Sequence, residues 1–290
     1  MAFSSDKITS FSINKTLKCG HIALLCDKPL VMGILNLTPD SFYDGGQYLT
    51  EVDYVARTEK MIIDGASIID IGAVSTRPGA SEVNEATELE RLLPALQALT
   101  KRFPDTIFSI DTFRANVAKS AAQFGAGMIN DISGGNLDEN MFTTVAEIGL
   151  PYVLMHIQGT PSTMQDNPDY ENIINNINQY FSSKLNELDR VGVEQVILDP
   201  GFGFGKTIHH NFNLLHHLSS FKTNNYPLMV GLSRKSMIYK LLDILPKDAL
   251  PSTSALQILA VINGVDILRV HDVKEAVQVI KLAEAYTTAL

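Results

Sequence analysis

The stretch TIFSIDTFRANVAKSAAQFGAGMIND, residues 106–131, contains one complete strand–helix–strand unit. Its two ends, TIFSID (106–111) and GMIND (127–131), are short and largely apolar, which predicts strands. Apolar residues at helical spacing predict a helix over 113–124. Because strands that alternate with helices pair in parallel through right-handed crossovers, this unit indicates an α/β protein with a parallel sheet.

The same alternation continues along the chain. Six further strands are predicted at 31–36, 67–72, 151–156, 195–199, 227–232 and 266–271. The other helical patterns lie near 51–64, 86–101, 138–148, 170–190, 208–219, 252–263 and 273–288. Eight units fit an extended doubly wound sheet or a (β/α)8 TIM barrel, and the eightfold count favours the barrel.

Two extended segments precede the first of these strands, KITSFSIN (7–14) and KCGHIALLC (18–26). They predict an N-terminal β-hairpin that closes the bottom of the barrel. No linker rich in Pro, Gly or Ser divides the chain, so we expect residues 1–290 to form one domain.

The composition excludes several classes of protein. A net charge of -9 argues against a nucleic-acid partner, whose phosphates an acidic surface repels. The N-terminus lacks a signal-peptide core, and no run of about 18 apolar residues predicts a membrane span. The two cysteines, Cys19 and Cys26, are too few for a disulfide framework. Together these features favour a cytoplasmic enzyme.

Polar side chains occur at or just after the end of every predicted strand. They are Asn36, Ser75-Thr76-Arg77, Asp111, Asn130-Asp131, His156, Asp199, Arg234-Lys235, and Arg269 with His271. Singly, each has a structural explanation as a helix cap, a turn residue or a salt-bridge partner. Active sites of TIM barrels lie at the C-terminal ends of the strands, so we expect these side chains to converge there.

These side chains form two chemical sets. One suits the edge of a polar heterocycle, because a carboxylate accepts two N–H donors and a lysine donates to a ring oxygen or nitrogen. It contains Asp111, Asn130, Asp199 and Lys235. The other suits a phosphate or diphosphate, with a hard cation such as Mg²⁺ at its amide oxygen. It contains Arg269, His271, Asn36 and the pair Thr76-Arg77.

Three connections carry further predictions. LTPDSFYDGGQYLT (37–50) and AVSTRPGASEVNEA (73–86) are long enough to act as lids over the site. ILDPGFGFGKT (197–207) looks like a nucleotide phosphate loop, but the glycine spacing differs and Pro200 has no N–H to donate. We interpret it as a strand ending in Asp199, followed by a glycine loop that brings Phe204 to the site.

The histidines outside the two sets are interpreted separately. His209, His210, His216 and His217 share one predicted helix, and no carboxylate or cysteine cluster joins them. We therefore expect a helix surface rather than a metal site. For His156, a site-lining residue and a buried core histidine remain equally good interpretations.

Eight motifs, in order, closely resemble those of the dihydropteroate synthases, the folate-pathway enzymes inhibited by sulfonamides. They are MGILNLTPDSFYDGG (32–46), STRPGA (75–80), SIDTFR (109–114), INDISGG (129–135), MHIQGTPSTMQ (155–165), LDPGFGFGK (198–206), GLSRKS (231–236) and RVHD (269–272). The resemblance implies a homodimeric barrel that uses Mg²⁺. It also implies the condensation of 6-hydroxymethyl-7,8-dihydropterin diphosphate with p-aminobenzoate to 7,8-dihydropteroate and diphosphate.

The resemblance also implies roles for individual residues. The pterin would be held by Asp111, Asn130, Asp199 and Lys235, with Arg269 over its face. The diphosphate would be bound by Asn36, Arg77, Arg269 and His271, with Asn36 also on Mg²⁺. The p-aminobenzoate would be bordered by Thr76, Pro78, Phe204, Lys235 and Ser236. The catalytic residues would be Asp111, Asp199, Lys235, Arg269 and His271.

The chain departs from the family pattern at one place. Many members of the family carry Gly-Glu where this chain has Ala73-Val74.

Three rival interpretations remain open. The first is a methyltetrahydrofolate-dependent methyltransferase, which has a similar barrel but needs no diphosphate-binding set. The second rival is an aldolase that uses Lys235 as a Schiff base, and the third is a catalytically silent pterin-binding paralogue.

Overall fold

The computed structural model describes residues 16–38, 50–75, 83–223 and 225–289. Its strands are β1 (Thr16–Cys19), β2 (Ile22–Leu25), β3 (Leu30–Asn36), β4 (Ile68–Gly72), β5 (Ile107–Asp111), β6 (Met128–Asp131), β7 (Tyr152–Met155), β8 (Val196–Asp199), β9 (Met229–Val230) and β10 (Ile267–Val270). Its α-helices are α1 (Glu51–Ile63), α2 (Glu85–Arg102), α3 (Ala115–Gln123), α4 (Met141–Ile148), α5 (Ile173–Val191), α6 (Ile208–His216), α7 (Ser236–Tyr239), α8 (Leu250–Ile262) and α9 (Val273–Thr288).

Strands β3 to β10 form one parallel sheet in the order β8-β7-β6-β5-β4-β3-β10-β9. The two ends of this order meet, because Leu198 of β8 bridges Leu228 in parallel and its N–H donates to the carbonyl of Pro227 at 2.9 Å. The sheet therefore closes on itself. This closure confirms the predicted (β/α)8 barrel and excludes the doubly wound sheet.

The inward-facing side chains of the barrel form an apolar layer below a polar layer. Side chains alternate between the two faces of a strand, so Ile68 and Asp70 of β4 both point inward. The lower layer is a buried cluster of Met32, Ile68, Ile107, Met128, Val153, Ile197, Met229 and Ile267. Two residues further along their strands lie Asp70, Ser109, Asn130, Asp199 and Arg269. The polar layer is thus near the C-terminal ends of the strands.

A hairpin covers the bottom of the barrel, as predicted, but its strands differ from the prediction. Both strands lie within residues 16–25 and turn at Gly20-His21, so the second predicted segment folds back on itself. The first predicted segment, 7–14, lies outside the described residues. Leu17, Cys19 and Leu24 pack against the lower apolar layer, and this burial holds the hairpin in place.

The helices begin immediately after the loops that follow the strands, and polar side chains fix several of these starting points. Thr50 and Asp53 form a capping box at the start of α1. Asn84 caps α2 by accepting from the N–H of Thr87, and Thr207 caps α6. All eight predicted helices are present, and the four-residue helix α7 is an addition that the sequence pattern does not reveal.

Among the described helices, none has both the length and the apolar character needed to cross a membrane.

Candidate active site

Arg269 lies at the centre of the polar layer and joins three strands. Its Nε donates to Oδ2 of Asp70 at 2.7 Å, and its Nη2 donates to Oδ2 of Asp111 at 2.7 Å. The Asp70 side chain is completely buried, whereas those of Asp111 and Arg269 are 13% and 20% exposed. The guanidinium is therefore anchored from below by β4 and from the side by β5, with one edge open towards the rim.

Asp70 is a residue that the sequence-based site prediction omits. Its Oδ2 also accepts a hydrogen bond from Nδ2 of Asn130 at 3.0 Å. Because a carboxylate can only accept, this contact fixes the orientation of the Asn130 amide and leaves its Oδ1 free to accept from a ligand. The sequence carries one signal for Asp70: it is the only charged residue in the apolar strand SIIDIG. It lies two positions before Gly72, so both residues face the same side of the strand.

Asp199 and Lys235 form the opposite side of the polar layer. Oδ1 of Asp199 accepts from the N–H of Gly201 at 2.7 Å, and the Asp199 side chain is buried. Lys235 directly precedes α7; its Nζ donates to the carbonyl oxygen of Phe202 and lies 4.7 Å from the centre of the Phe204 ring. Burial lowers the pKa of Lys235 to about 8, although the Asp199 carboxylate opposes this shift.

The charges in the site leave one excess carboxylate. Asp70, Asp111 and Asp199 carry three negative charges when ionised, against two positive charges on Arg269 and Lys235, a net charge of minus one. Burial raises the pKa of Asp111 to about 7, with Arg269 opposing the shift and Asp70 adding to it. Asp111 therefore takes up a proton near neutral pH. Burial also raises the pKa of Asp199, although Lys235 opposes this shift.

The rim above Arg269 carries the other predicted residues that the structure describes. Asn36 ends β3 with its side chain beside Gly72, where an added Cβ would lie 3.2 Å from Asn36 Oδ1 and 3.8 Å from Asp111 Oδ2. His271 follows β10 and is half-buried, and Ser236 is the first residue of α7. The absence of a side chain at Gly72 thus keeps the space between the Asn36 and Asp111 side-chain oxygens open.

Thr76, Arg77 and Pro78 lie outside the described residues, as does most of each predicted lid. The two ends of the second predicted lid are described, and Arg91 of α2 and Arg114, which directly precedes α3, contact them. Arg91 donates to the carbonyl of Ala73 at 3.2 Å, and Arg114 donates to the carbonyl of Val83 at 2.6 Å. Arg114 also forms an ion pair with the buried Glu88. The departure at Ala73 therefore sits where the backbone, not the side chain, makes the contact with α2.

An apolar cluster that the sequence-based prediction does not identify lies beside the polar layer. Its buried members are Ile132, Met155, Ile157 and Met164, and its partly buried members are Phe113 and Phe204. These residues follow or end β5, β6, β7 and β8, so they are at the same end of the barrel as Arg269. An apolar wall next to fixed polar groups is typical of a small-molecule site.

The glycine loop after β8 does not form a phosphate-binding nest. The N–H of Gly201 donates to Asp199, and the N–H of Gly203 donates to Oδ1 of Asn211 at 2.7 Å, so neither is available to a phosphate. Gly201 has φ +69°, and an added Cβ would overlap the carbonyl oxygen of His156. Glycine is required there because the loop is pressed against the end of β7.

The histidines have structural contacts. His156 is buried, its Nδ1 lies 3.0 Å from Nζ of Lys206, and its ring packs edge-on against Tyr180. His156 thus belongs to the layer between the barrel and α5. His210 contributes to the cap of α6, since its Nδ1 accepts from the N–H of Thr207 at 3.3 Å.

Comparisons with known proteins agree with this arrangement. The family model described as pterin binding enzyme matches residues 32–271. The chain is 44% identical over 263 residues to the dihydropteroate synthase of Escherichia coli, which covers 90% of this chain and 93% of that protein. It is 46% identical over 258 residues to the dihydropteroate synthase of a Synechocystis species, covering 88% of this chain and 89% of that protein.

Solved structures agree as well. The dihydropteroate synthase of Yersinia pestis in complex with a sulfonamide drug matches with a TM-score of 0.90 at 41% identity, covering 94% of this chain and 100% of that chain. The dihydropteroate synthase of Xanthomonas albilineans with 4-aminobenzoic acid matches with a TM-score of 0.88 at 35% identity, covering 96% of this chain and 100% of that chain. The chain belongs to the dihydropteroate synthase family of pterin-binding enzymes.

Proposed function

We propose that this protein is a dihydropteroate synthase. It condenses 6-hydroxymethyl-7,8-dihydropterin diphosphate with p-aminobenzoate to give 7,8-dihydropteroate and diphosphate. The observation that carries the proposal is the buried arginine, Arg269, held between Asp70 and Asp111 in the same layer as the pair Asp199 and Lys235. This layer offers fixed donors and acceptors for a heterocycle directly beneath a cationic rim.

The pterin lies in the polar layer. Asp199 keeps carboxylate lone pairs free beyond its bond to Gly201, so it accepts the N–H donors of the aminopyrimidinone edge. Asn130 presents Oδ1 to the ring because its Nδ2 is bound to Asp70. Lys235 donates to the ring oxygen or nitrogen. Each contact uses a group whose direction is already fixed, so little ordering is required on binding.

The diphosphate lies at the rim above Arg269. A guanidinium has five N–H donors, and two of those of Arg269 are used by Asp70 and Asp111, which leaves three for the ligand. His271, Asn36 and Arg77 complete this set. Negative charge that grows on the leaving oxygen is stabilised by Arg269, whose guanidinium is held by Asp70 and Asp111 before the reaction begins.

The reaction is a dissociative substitution. The C–O bond between the pterin methylene and the diphosphate breaks first, and the pterin ring spreads the resulting positive charge. Asp111 belongs to the same site because it is hydrogen-bonded to Arg269. When ionised, its carboxylate stabilises the pterin cation. The neutral amine of p-aminobenzoate then attacks the methylene, forms the C–N bond and loses a proton. Positioning and exclusion of water, rather than a strong general base, supply the catalysis.

Mg²⁺ fits the donor chemistry of the rim. Asn36 contributes an amide oxygen, and Mg²⁺ takes oxygen ligands while keeping several waters and substrate phosphate oxygens. The described residues contain no group of three or more His, Cys, Asp or Glu side chains arranged for a metal ion. Asn36 and the diphosphate would therefore both contribute ligands to the ion. When bound, the ion neutralises part of the charge on the leaving diphosphate.

p-Aminobenzoate binds beside Phe204, Lys235 and Ser236, with Thr76 and Pro78 completing the border. The position of Phe204 in the apolar cluster, 4.7 Å from Lys235 Nζ, supports this placement. Sulfonamides resemble p-aminobenzoate in shape and compete for the same place.

The active form is a homodimer that works in the cytoplasm. Seven of the exposed large apolar side chains belong to the region from the end of α7 to α9, in which α8 packs against α9, and this supports an interface there. They are Leu241, Leu242, Leu245, Leu259, Ile262, Leu282 and Tyr286. Cys19 is a free and buried thiol, which suits a reducing compartment.

The proposal is tested by incubating the purified protein with the two substrates and Mg²⁺ and identifying the product by its mass. Dihydropteroate is the expected product. Parallel reactions contain methyltetrahydrofolate with a corrinoid, or a carbonyl substrate with borohydride to trap a Schiff base on Lys235. Methyl transfer or a trapped adduct without dihydropteroate would replace the synthase by one of these activities.

A further inference from the structure

Lys206 is a buried lysine that the proposed reaction does not use. It ends the motif LDPGFGFGK, and only 4% of the residue is exposed. Its Nζ lies 3.0 Å from Nδ1 of His156 and 3.3 Å from the carbonyl oxygen of His156, and 2.9 Å from the carbonyl oxygen of Phe204. Three acceptors match the three N–H donors of an ammonium group. Burial lowers the pKa of Lys206 well below its usual value, whereas the Asp199 carboxylate favours the ammonium form. The three acceptors satisfy the donors of Lys206 at this depth, where unpaired donors are strongly unfavourable.

The contacts of Lys206 tie two different segments together. His156 follows β7, and Phe204 stands in the glycine loop after β8. The loop has no clearance at this point, since a Cβ added at Gly205 would lie 2.6 Å from the carbonyl oxygen of Gln158. Tyr170 adds a tie through its hydroxyl, which donates to the carbonyl of Gly205 at 2.8 Å. The backbone on both sides of Phe204 is therefore fixed against β7.

The Nδ1 contact depends on an uncharged His156 ring. Burial, with a smaller effect of Lys206, lowers the pKa of His156 to about 2. The ring therefore stays neutral throughout the pH range in which an enzyme of this kind operates, and Nδ1 accepts from Lys206 when the ring proton is on Nε2. The ring itself is held by edge-on packing against Tyr180 at a centroid distance of 4.9 Å.

We infer that Lys206 is a positioning residue for the second substrate. It fixes the loop that carries Phe204, and Phe204 in turn borders the amine substrate next to Lys235. The inference rests on the proposed function, since it uses the place of p-aminobenzoate beside Phe204. Asp199 and Lys235 contact the glycine loop only at Gly201 and Phe202, before Phe204. Lys206 fixes the loop from Phe204 onward, so its loss affects the second substrate more than the pterin.

The first test replaces Lys206 by Met, which keeps the length and apolar stem of the side chain but removes the ammonium. The KM for p-aminobenzoate is expected to rise by about tenfold, because a loop displaced by a fraction of an ångström loses its contact with the substrate. The Kd of 6-hydroxymethylpterin, measured by fluorescence, should change by less than about twofold. Equal losses for both ligands, or an unchanged KM for p-aminobenzoate, would overturn the inference.

A double-mutant cycle asks whether Lys206 acts through Phe204. In the Phe204→Ala background, Lys206→Met should no longer raise the KM for p-aminobenzoate, because the side chain that the loop positions is gone. An undiminished effect in that background would contradict the inference. Lys184→Met is the matched control, since Lys184 is also largely buried and lies near an aromatic ring, but on α5 at a distance in sequence from the loop.

The partner of Lys206 gives an independent pair of variants should Lys206→Met fold poorly. His156→Asn can place an amide oxygen near the position of Nδ1, whereas His156→Leu offers no acceptor. The His156→Asn variant should keep most of the wild-type KM for p-aminobenzoate, and His156→Leu should approach Lys206→Met. Equal behaviour of the two would contradict a role for the hydrogen bond.

Amide hydrogen exchange separates failure of this inference from failure of the proposed function. In Lys206→Met, a peptide covering 200–207 should exchange faster than in the wild type, with other segments unchanged. This readout needs no substrate. A wild-type protein that forms no dihydropteroate would refute the proposed function, while unchanged exchange over 200–207 would refute the role of Lys206.

Discussion

Nε of Arg269 donates to Oδ2 of Asp70 at 2.7 Å, and no part of the Asp70 side chain reaches solvent. A buried ion pair contributes little net stability when both partners are present, but removing one partner leaves an uncompensated charge. The pair therefore acts by positioning: it holds the Arg269 guanidinium just below the rim, where the diphosphate leaves. Asp70 thus determines where Arg269 can act.

Replacement of Asp70 by Asn should reduce kcat/KM for the pterin diphosphate by about 10- to 100-fold. A neutral amide could still accept both hydrogen bonds at one oxygen, as Oδ2 of Asp70 does, but it does not balance the guanidinium charge and it places an NH₂ group in a fully buried position. Steady-state kinetics at saturating p-aminobenzoate measure the effect. Asp131→Asn is the control, because Asp131 is also buried but accepts from Tyr152, Ser133 and Gly135. It should lower Tm and leave kcat/KM unchanged; equal kinetic losses in the two variants would argue against a specific role for Asp70.

The pH dependence of kcat/KM should be bell-shaped with a maximum between the two shifted pKa values. Asp111, with its pKa raised to about 7, must be ionised, so activity rises through this pH. Lys235, with its pKa lowered to about 8, must be protonated, so activity falls above it. Asp111→Asn should remove the acidic limb from the residual activity. An acidic limb that persists in this variant would assign it to another group.

The raised pKa of Asp111 also predicts how stability changes with pH. The folded protein keeps the Asp111 proton up to about pH 7, whereas the unfolded chain loses it near the ordinary aspartate pKa of 3.8. Since the folded state binds more protons in this window, the Asp111 contribution to the free energy of unfolding decreases as pH rises from about 4 to 7. Urea denaturation of wild type and Asp111→Asn at several pH values measures it. The variant should lose less stability across this window, and parallel curves would contradict the prediction.

Gly201→Ala should lower both stability and affinity for p-aminobenzoate. The added Cβ would overlap the carbonyl oxygen of His156, so β7 and the glycine loop must separate. We expect a loss of about 2 kcal/mol or more in the free energy of unfolding. Gly149→Ala is the matched control, because Gly149 has a similar φ of +66° but nothing within 4 Å of its added Cβ. Equal destabilisation of the two variants, by denaturant titration, would show that backbone strain alone explains the requirement.

Removal of Mg²⁺ should abolish turnover and spare pterin binding. Chelation leaves the growing charge on the diphosphate to the protein side chains Arg269, His271 and Arg77, while the heterocycle contacts lie deeper in the barrel. Asn36→Ala should raise the Mg²⁺ concentration for half-maximal activity by about tenfold, because one of few protein ligands is lost. Activity titrations with Mg²⁺ and fluorescence binding of 6-hydroxymethylpterin make the comparison. Full activity in excess chelator would contradict a role for the ion.

Much of the architecture is predictable because two periodicities repeat. Strands such as TIFSID and helices such as α3 alternate eight times, and the closed barrel brings several of the polar residues at the strand ends, such as Asp111, Asp199 and Arg269, to one end. Asp70 escapes prediction, since a residue in the middle of a strand reveals its role only when its facing direction is known. The predicted hairpin is misplaced because residues 16–25 contain both strands within what reads as one extended segment.

The Lys206 contacts are not predictable either. The motif LDPGFGFGK is visible in the sequence, but its proximity to His156 depends on the pairing of β7 with β8. The same holds for the apolar cluster around Met155, whose members are scattered over four loops. Such contacts depend on the closed barrel, and no local pattern encodes them.

The central claim is tested most directly by measuring diphosphate and dihydropteroate together in one reaction of the wild-type protein with both substrates and Mg²⁺. The account predicts one diphosphate released for each dihydropteroate formed. Diphosphate release without dihydropteroate, or no release from a protein that binds the pterin, would contradict it.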